Sequence, residues 1–179
     1  MPAAGPEFAN NPKIALLAEA EYEDMELWYP YYRLQEAGAD VDILGTGESS
    51  YPSKRGHEVT VDYKVDNAVT STYDGVVIPG GWAPDKMRRH PPMVRFVDNL
   101  HDRGGICAAI CHAGWMLISA GLVDGRKCTS YSSIREDMEN AGADWVDREV
   151  VRDGQVITSR KPDDLPAFCQ SIIGAFAES

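Results

Sequence analysis

The chain has 179 residues, enough for one domain with a sizeable core, and its 44% hydrophobic and 25% charged content is that of a globular protein. A formal charge of −11 excludes the basic footprint that nucleic acid demands and argues against an anionic membrane surface, so the acidity reads as a solubility device. No apolar run approaches the ~20 residues needed to span a bilayer.

Residues 1–12 carry three prolines, one glycine and two asparagines, with neither a basic start nor an apolar stretch. They read as a flexible leader rather than a signal peptide, which leaves 13–179 as a single domain. The expected location is the cytoplasm, where the four cysteines, Cys107, Cys111, Cys128 and Cys169, stay reduced as free thiols.

Strand and helix patterns then alternate. Lys13–Ala18 is a short apolar run suited to a strand buried on both faces. Met25–Ala37 has helical spacing, with Leu27, Tyr31 and Leu34 on one stripe, a stop at Gly38, and Pro30 predicting a kink or a first-turn position. Val41–Leu44 is a second strand, and Tyr51–Tyr63 alternates weakly around Gly56 as a small hairpin would. Gly75–Ile78 is a third buried strand, cut off by Pro79-Gly80-Gly81. Pro91–Arg103 is a helix ended by Gly104-Gly105.

Ile106–Ile110 is a strand that runs straight into Cys111-His112, and a helix is expected over Ala113–Ala120. Lys127–Thr129 suits another short strand. Asp147–Ser159 reads as a hairpin about Asp153-Gly154. The closing helix spans Asp163–Ala177, capped by Asp163 or Asp164. Such alternation implies an α/β domain with a mostly parallel sheet covered by helices on both faces, and sites in that architecture lie at the carboxyl ends of the strands. Chemically capable residues follow three of the predicted strands: Glu23 to Glu26, Pro79-Gly80-Gly81, and Cys111-His112.

A strand of small and apolar residues delivers Cys111 to a sharp turn with a helix directly after it, the arrangement of a nucleophile elbow. Unpaired N–H groups at a helix start favour thiolate over thiol, which predicts a lowered pKa for Cys111 alone. The other three cysteines read as inert core residues. His112, being adjacent, points about 100° away on a helix; its ring either swings back to the thiol or reaches a carboxylate, and its N–H is a candidate oxyanion donor. Gly80 and Gly81 allow backbone to approach a ligand closely, and as a phosphate motif they fail. Glu23, Asp24 and Glu26 either send one carboxylate into the site or form a solvated helix start. His57, His90 and His101 have no cysteine or carboxylate at metal-ligand spacing, so neither a metal nor a cofactor is expected.

Taken together, Glu23-Asp24-Met25-Glu26-Leu27, Pro79-Gly80-Gly81, Ala109-Ile110-Cys111-His112 and Thr158-Ser159-Arg160 resemble the DJ-1/PfpI superfamily, in particular its PfpI-type intracellular proteases and deglycases. Gly125-Arg126-Lys127, Asn140-Ala141-Gly142-Ala143 and Pro162-Asp163-Asp164-Leu165-Pro166 extend the match from about Lys13 to Ala177. The resemblance implies a flavodoxin-like three-layer sandwich that assembles as a dimer or hexamer. It implies that Cys111 is the nucleophile, that Glu26 hydrogen-bonds its sulfur, and that His112 belongs to a triad completed by Asp85 of a neighbouring subunit. Gly81 and His112 would supply oxyanion N–H groups, beside Gly80.

Asp85 stands where relatives usually have Glu, His112-Ala113-Gly114 replaces the usual His-Gly-Pro, and Ser132 replaces a proline after Tyr131. Trp115 and Tyr131 are therefore expected to reshape the pocket. Trp28, Tyr29, Tyr31 and Tyr32 supply more aromatic surface than one inward stripe buries, which suits a subunit interface.

The expected function is a cysteine hydrolase acting on carbonyl substrates (glyoxal, methylglyoxal, their protein adducts, or peptide bonds) through a covalent Cys111 intermediate. The alternative is a non-enzymatic redox sensor that works by oxidation of Cys111. A glutamine amidotransferase is set aside, because no histidine follows His112 in the sequence.

Overall fold

A computed structural model describes residues 7–178. Its centre is a seven-stranded sheet. The strands in chain order are β1 (Lys13–Ala18), β2 (Asp40–Gly45), β3 (Ser50–Pro52), β4 (Glu58–Thr60), β5 (Tyr63–Lys64), β6 (Gly75–Ile78), β7 (Ile106–Ile110), β8 (Lys127–Cys128), β9 (Asp144–Trp145), β10 (Val150–Asp153) and β11 (Val156–Ser159). The large sheet runs β10-β11-β7-β6-β1-β2-β5, parallel except for β10. β3 pairs antiparallel with β4 as the expected small hairpin, and β8 with β9 forms a second two-stranded ribbon. β6, β7 and β11 are buried at every position; β6 and β7 read as unbroken apolar runs for that reason, whereas β11 buries Thr158 and Ser159 at its carboxyl end.

The helices are α1 (Asp24–Glu36), α2 (Ala83–Met87), α3 (Pro91–Asp102), α4 (Gly114–Ser119), α5 (Arg135–Asn140) and α6 (Leu165–Ala177). From β1 the chain crosses by α1 to β2, and from β6 it crosses by α3 to β7 in the opposite direction along the sheet. Right-handed crossovers that run in opposite directions place their helices on opposite faces, which makes three layers. α1 packs with α6 on one face, while α3 packs with α4 on the other. The chain is thus an α/β, flavodoxin-like sandwich, with a topological switch point between the carboxyl ends of β1 and β6.

Several expectations need correction. Of the two alternatives for Pro30, a kink or a first-turn position, the second is removed: Pro30 lies inside α1, buried along with Leu27 and Leu34. Tyr31 is only partly buried, so Pro30 takes its place on the inward stripe. Asp164 does occupy the cap position of α6 but makes no side-chain cap bond; both its oxygens are taken by Arg160, at 2.8 and 3.0 Å. In the β10–β11 hairpin the loop pair is Gly154-Gln155, because Asp153 still pairs with Val156.

Of the leader read at 1–12, residues 1–6 lie outside the described residues. Within the remainder, the Phe8 N–H donates to the Ala37 carbonyl at 2.9 Å and its ring meets Phe176 edge-on at 5.4 Å. Among the described residues no helix is long and apolar enough to cross a membrane.

Candidate active site

The three loops singled out in the sequence meet at one place. Cys111 ends the run of β7 and starts a single 3-10 turn, Cys111–Ala113, before α4 begins. Its φ is +63°, a left-handed conformation costly for a residue with a Cβ and typical of functional strain. The elbow is real, and it turns the thiol towards the switch point.

The β1 loop is stitched to the β6 loop there. Glu23 N–H donates to the Gly80 carbonyl at 3.2 Å, and Trp82 N–H to the Glu21 carbonyl at 2.9 Å. This pairing brings the first turn of α1 against the sulfur. Of the three acidic candidates, Glu26 is fully buried against the elbow, Glu23 lines the cleft, and Asp24 does not line it. One carboxyl oxygen accepts the Gly80 N–H at 2.8 Å, and the other, Oε1, is buried with no hydrogen-bond partner among the protein atoms. Gly80 is therefore a support for Glu26 rather than an oxyanion donor. A Cβ at position 80 would come within 2.5 Å of Glu26 Oε2 and 2.7 Å of Cys111 Cβ, so the close approach demands glycine.

Burial drives the titration of this group. It raises Glu26 to about 7, assisted by the nearby Glu23 charge and opposed by the Gly80 N–H. Burial also pushes the Cys111 thiol up, helped by the charge on Glu26, while N–H groups of His112 and Gly81 that reach the sulfur pull it down. The expected lowering of Cys111 by a helix start is thus not what the fold provides: α4 is only six residues long and begins beyond the elbow. Glu26 and Cys111 compete for one negative charge. When Glu26 is protonated, its repulsion of the thiolate vanishes and its O–H becomes a donor for sulfur. Cys107, Cys128 and Cys169 are all raised to about 12 by burial.

His112 does swing back. Its Nδ1 lies 3.1 Å from Cys111 Sγ, and its Nε2 lies 3.1 Å from the Ser133 hydroxyl. Burial, with the Lys54 charge, holds the imidazole below the usual histidine range. The ring is enclosed by Tyr131 stacked at 5.1 Å, Trp115 at 5.2 Å and Trp82 at 5.5 Å. A cleft of about 440 Å³ opens over this group, lined by Glu23, Glu26, Lys54, Gly81, Cys111 and His112 among others. Tyr131 is on its wall, whereas Trp115 is not; Trp115 backs His112 and gives its ring N–H to Asp137 at 2.9 Å. Asp85 is exposed on α2, and no hydrogen bond joins it to His112 within the chain.

Sequence reasoning missed four participants. Lys54 and Arg55, from the turn between β3 and β4, pair with Glu23 at 3.1 and 2.9 Å, and Lys54 lines the cleft. Trp82 and Ser133, both against His112, are the other two. A basic pair beside Gly56 was the available signal for the first two; nothing local marks the serine. Among the described residues no group of three or more His, Cys, Asp or Glu is placed to hold a metal.

Comparison with known proteins shows the family of the chain. The DJ-1/PfpI family model matches residues 12–175. A protein of Pyrococcus furiosus named deglycase PfpI is 43% identical over 161 residues, covering 90% of this chain and 97% of that one. Protein/nucleic acid deglycase 2 of Escherichia coli is 39% identical over 159 residues, covering 87% of this chain. Among solved structures, a two-domain protein of Anabaena variabilis containing DJ-1/ThiJ/PfpI-like and ferritin-like domains superposes with a TM-score of 0.91 at 42% identity. That match covers 93% of this chain, which spans about half (48%) of the two-domain protein.

Proposed function

The chain belongs to the DJ-1/PfpI family, and on that premise we propose that it is a cysteine hydrolase acting on carbonyl substrates through a covalent bond to Cys111. The observation that carries this reading is the placement of one strained thiol at 3.1 Å from an imidazole nitrogen, on the floor of an open cleft. The deglycase names of relatives favour glycation adducts over peptide bonds.

In this mechanism His112 Nδ1 takes the thiol proton as Sγ bonds to the carbonyl carbon. The former carbonyl oxygen carries the negative charge, and the N–H groups of Gly81 and His112 that reach the sulfur in the resting site are its nearest donors. For an amine adduct, Sγ bonds instead to the carbon that carries the nitrogen. The C–N bond breaks as His112 returns the proton to the leaving amine, which leaves the same hemithioacetal that a free glyoxal forms. A proton shift from that carbon to the neighbouring carbonyl carbon converts it to a thioester, which water hydrolyses to a 2-hydroxy acid and the free thiol. Protonated Glu26 donates to sulfur and keeps a second negative charge out of the site.

Turnover on methylglyoxal, a glycated peptide and casein, measured in parallel, tests the reading. Activity on the first two that falls at least about a thousandfold in Cys111→Ser is the expected result. Activity on casein alone would make the protein a peptidase. Loss of turnover on all three, with Cys111 converted to a sulfinate by mild peroxide, would favour redox sensing. That second reading has its own support, since an acid with pKa about 7 beside the sulfur suits hydrogen bonding to an oxidised cysteine.

We place the protein in the cytoplasm as a homo-oligomer. Tyr32 is 62% exposed and stacks on Trp28 at 5.9 Å, leaving an aromatic surface unpartnered in the single chain. Asp85, without an in-chain partner at His112, would act across such an assembly. Sedimentation and activity followed on one dilution series test this. A fully active monomer would remove Asp85 from the site.

A further inference from the structure

His112 is held at both ring nitrogens by groups of its own chain, and the second of these departs from what the motif suggests. Ser133 sits in a single 3-10 turn, Ser132–Ile134, that leads into α5. Three contacts lock this turn over the elbow. Tyr131 N–H donates to the Cys111 carbonyl at 3.2 Å, Ile134 N–H to the Tyr131 carbonyl at 3.2 Å, and Ile134 is buried against the start of α4. The two meet closely at Gly114, where a Cβ would come within 2.7 Å of Met138 Sδ and 3.1 Å of Ile134 Cδ1. The sequence after the nucleophile thus lets the Ser133 turn close down on His112.

We propose that Ser133 is the residue that orients His112, completing a Cys111–His112–Ser133 relay within one chain. The inference rests on the reading of Cys111 and His112 as a reacting pair. Ser133 Oγ accepts the Nε2–H, which leaves the Nδ1 lone pair facing Sγ as the base. The stacked Tyr131 ring fixes the imidazole plane, and the hydroxyl fixes which nitrogen carries the proton. When Nδ1 takes the thiol proton, the Nε2–H stays on Ser133 and the imidazolium is held in place by a neutral acceptor. Ser133 touches neither sulfur nor substrate and is a positioning residue. In this arrangement Nε2 is already engaged, so a carboxylate from a second copy must displace Ser133 to reach it.

The test uses the full chain with 15N-labelled histidine, together with turnover on methylglyoxal. The expected ring shifts show His112 protonated at Nε2 in the resting protein. Ser133→Ala is expected to mix the two tautomers and lower kcat about fivefold, with KM unchanged. Ser133→Thr, which keeps the hydroxyl, restores both readouts. A proton on Nδ1 in the resting protein overturns the proposal. So do unchanged tautomer and kcat in Ser133→Ala, or a tautomer that responds to Asp85→Ala and ignores Ser133→Ala, which would assign the role to a second subunit. Because the shifts need no substrate, an intact Ser133-dependent tautomer in a protein that turns over nothing would defeat the hydrolase reading and leave this one standing.

Discussion

The two ends of the central sheet carry clefts of similar size but opposite character. At the amino end a cleft of about 350 Å³ lies among Phe8, Asn11, Pro12, Asp74, Gly104 and Gly105. The backbone entering the strands there is paired: Lys13 N–H donates to Asp74 Oδ2 at 2.8 Å, Asp74 N–H to the Lys13 carbonyl at 2.8 Å, Asp40 N–H to the Pro12 carbonyl at 2.9 Å, and Ile106 N–H to the Asp74 carbonyl at 3.0 Å. At the carboxyl end, Glu21 and Cys111 adopt positive φ (65° and 63°), and Glu26 buries an oxygen without a partner.

Volume therefore does not distinguish the two ends of the sheet. Strain and an unsatisfied buried carboxyl do, because a stable fold tolerates them only where the surroundings hold them in place.

Glycine substitution at each end is the sharpest way to break that contrast. Gly80→Ala forces a Cβ against a buried carboxyl and the nucleophile, and is expected to cost about 3 kcal/mol of stability and to displace Glu26. Gly104→Ala, with φ +85° but nothing within 4 Å of its Cβ, should cost only about 1 kcal/mol and leave activity intact. Denaturant melts of the two variants check this, and similar losses would mean the carboxyl end is no tighter than the other.

The pH dependence of stability is the next effect. Glu26 has its pKa raised from 4.5 to about 7 in the folded chain. Between those values the native state binds the proton that the unfolded state has released, so stability falls as pH rises through the window and is constant above it. The loss reaches on the order of 3 kcal/mol. Glu26→Gln should flatten this slope, as read by urea midpoints between pH 4.5 and 8. A slope unchanged by the substitution would show that the carboxyl ionises freely.

The smallest effect compares a cysteine on β7 with the one in the turn that follows it. Cys111 is 8% exposed on the cleft floor and Cys107 is 0% exposed. Limiting iodoacetamide should alkylate Cys111 first, and faster as pH falls towards the protonation of Glu26 than an isolated thiol would allow. Mapping the adducts decides it; earlier labelling of Cys107, Cys128 or Cys169 would overturn the assignment.

Much of this architecture could be read along the chain because its signals are local. Buried parallel strands such as Gly75–Ile78 and Ile106–Ile110 are apolar throughout, the glycines at 80–81 and 104–105 punctuate them, and a run of small residues leads directly to Cys111. The sequence by itself determined the strand–helix alternation, hence the layered sheet, and with it the loops that converge on the site. Short elements escaped, since α2 and α5 have too few turns for a hydrophobic period to emerge.

The tertiary structure alone decided where each acidic candidate lies, what neighbours His112, and in which direction the thiol titrates. The rotation of α1 against the Gly80 loop sets Glu26 beneath the thiol and Glu23 on the cleft wall, and leaves Asp24 outside it. Ser133 reaches His112 across a separation of 21 residues, through a turn that packs against Gly114. A helix start after the strand suggested a lowered Cys111 pKa, but desolvation depends on how much protein covers the sulfur. That burial, together with the carboxyl brought beside it, is a property of packing that no stretch of sequence contains.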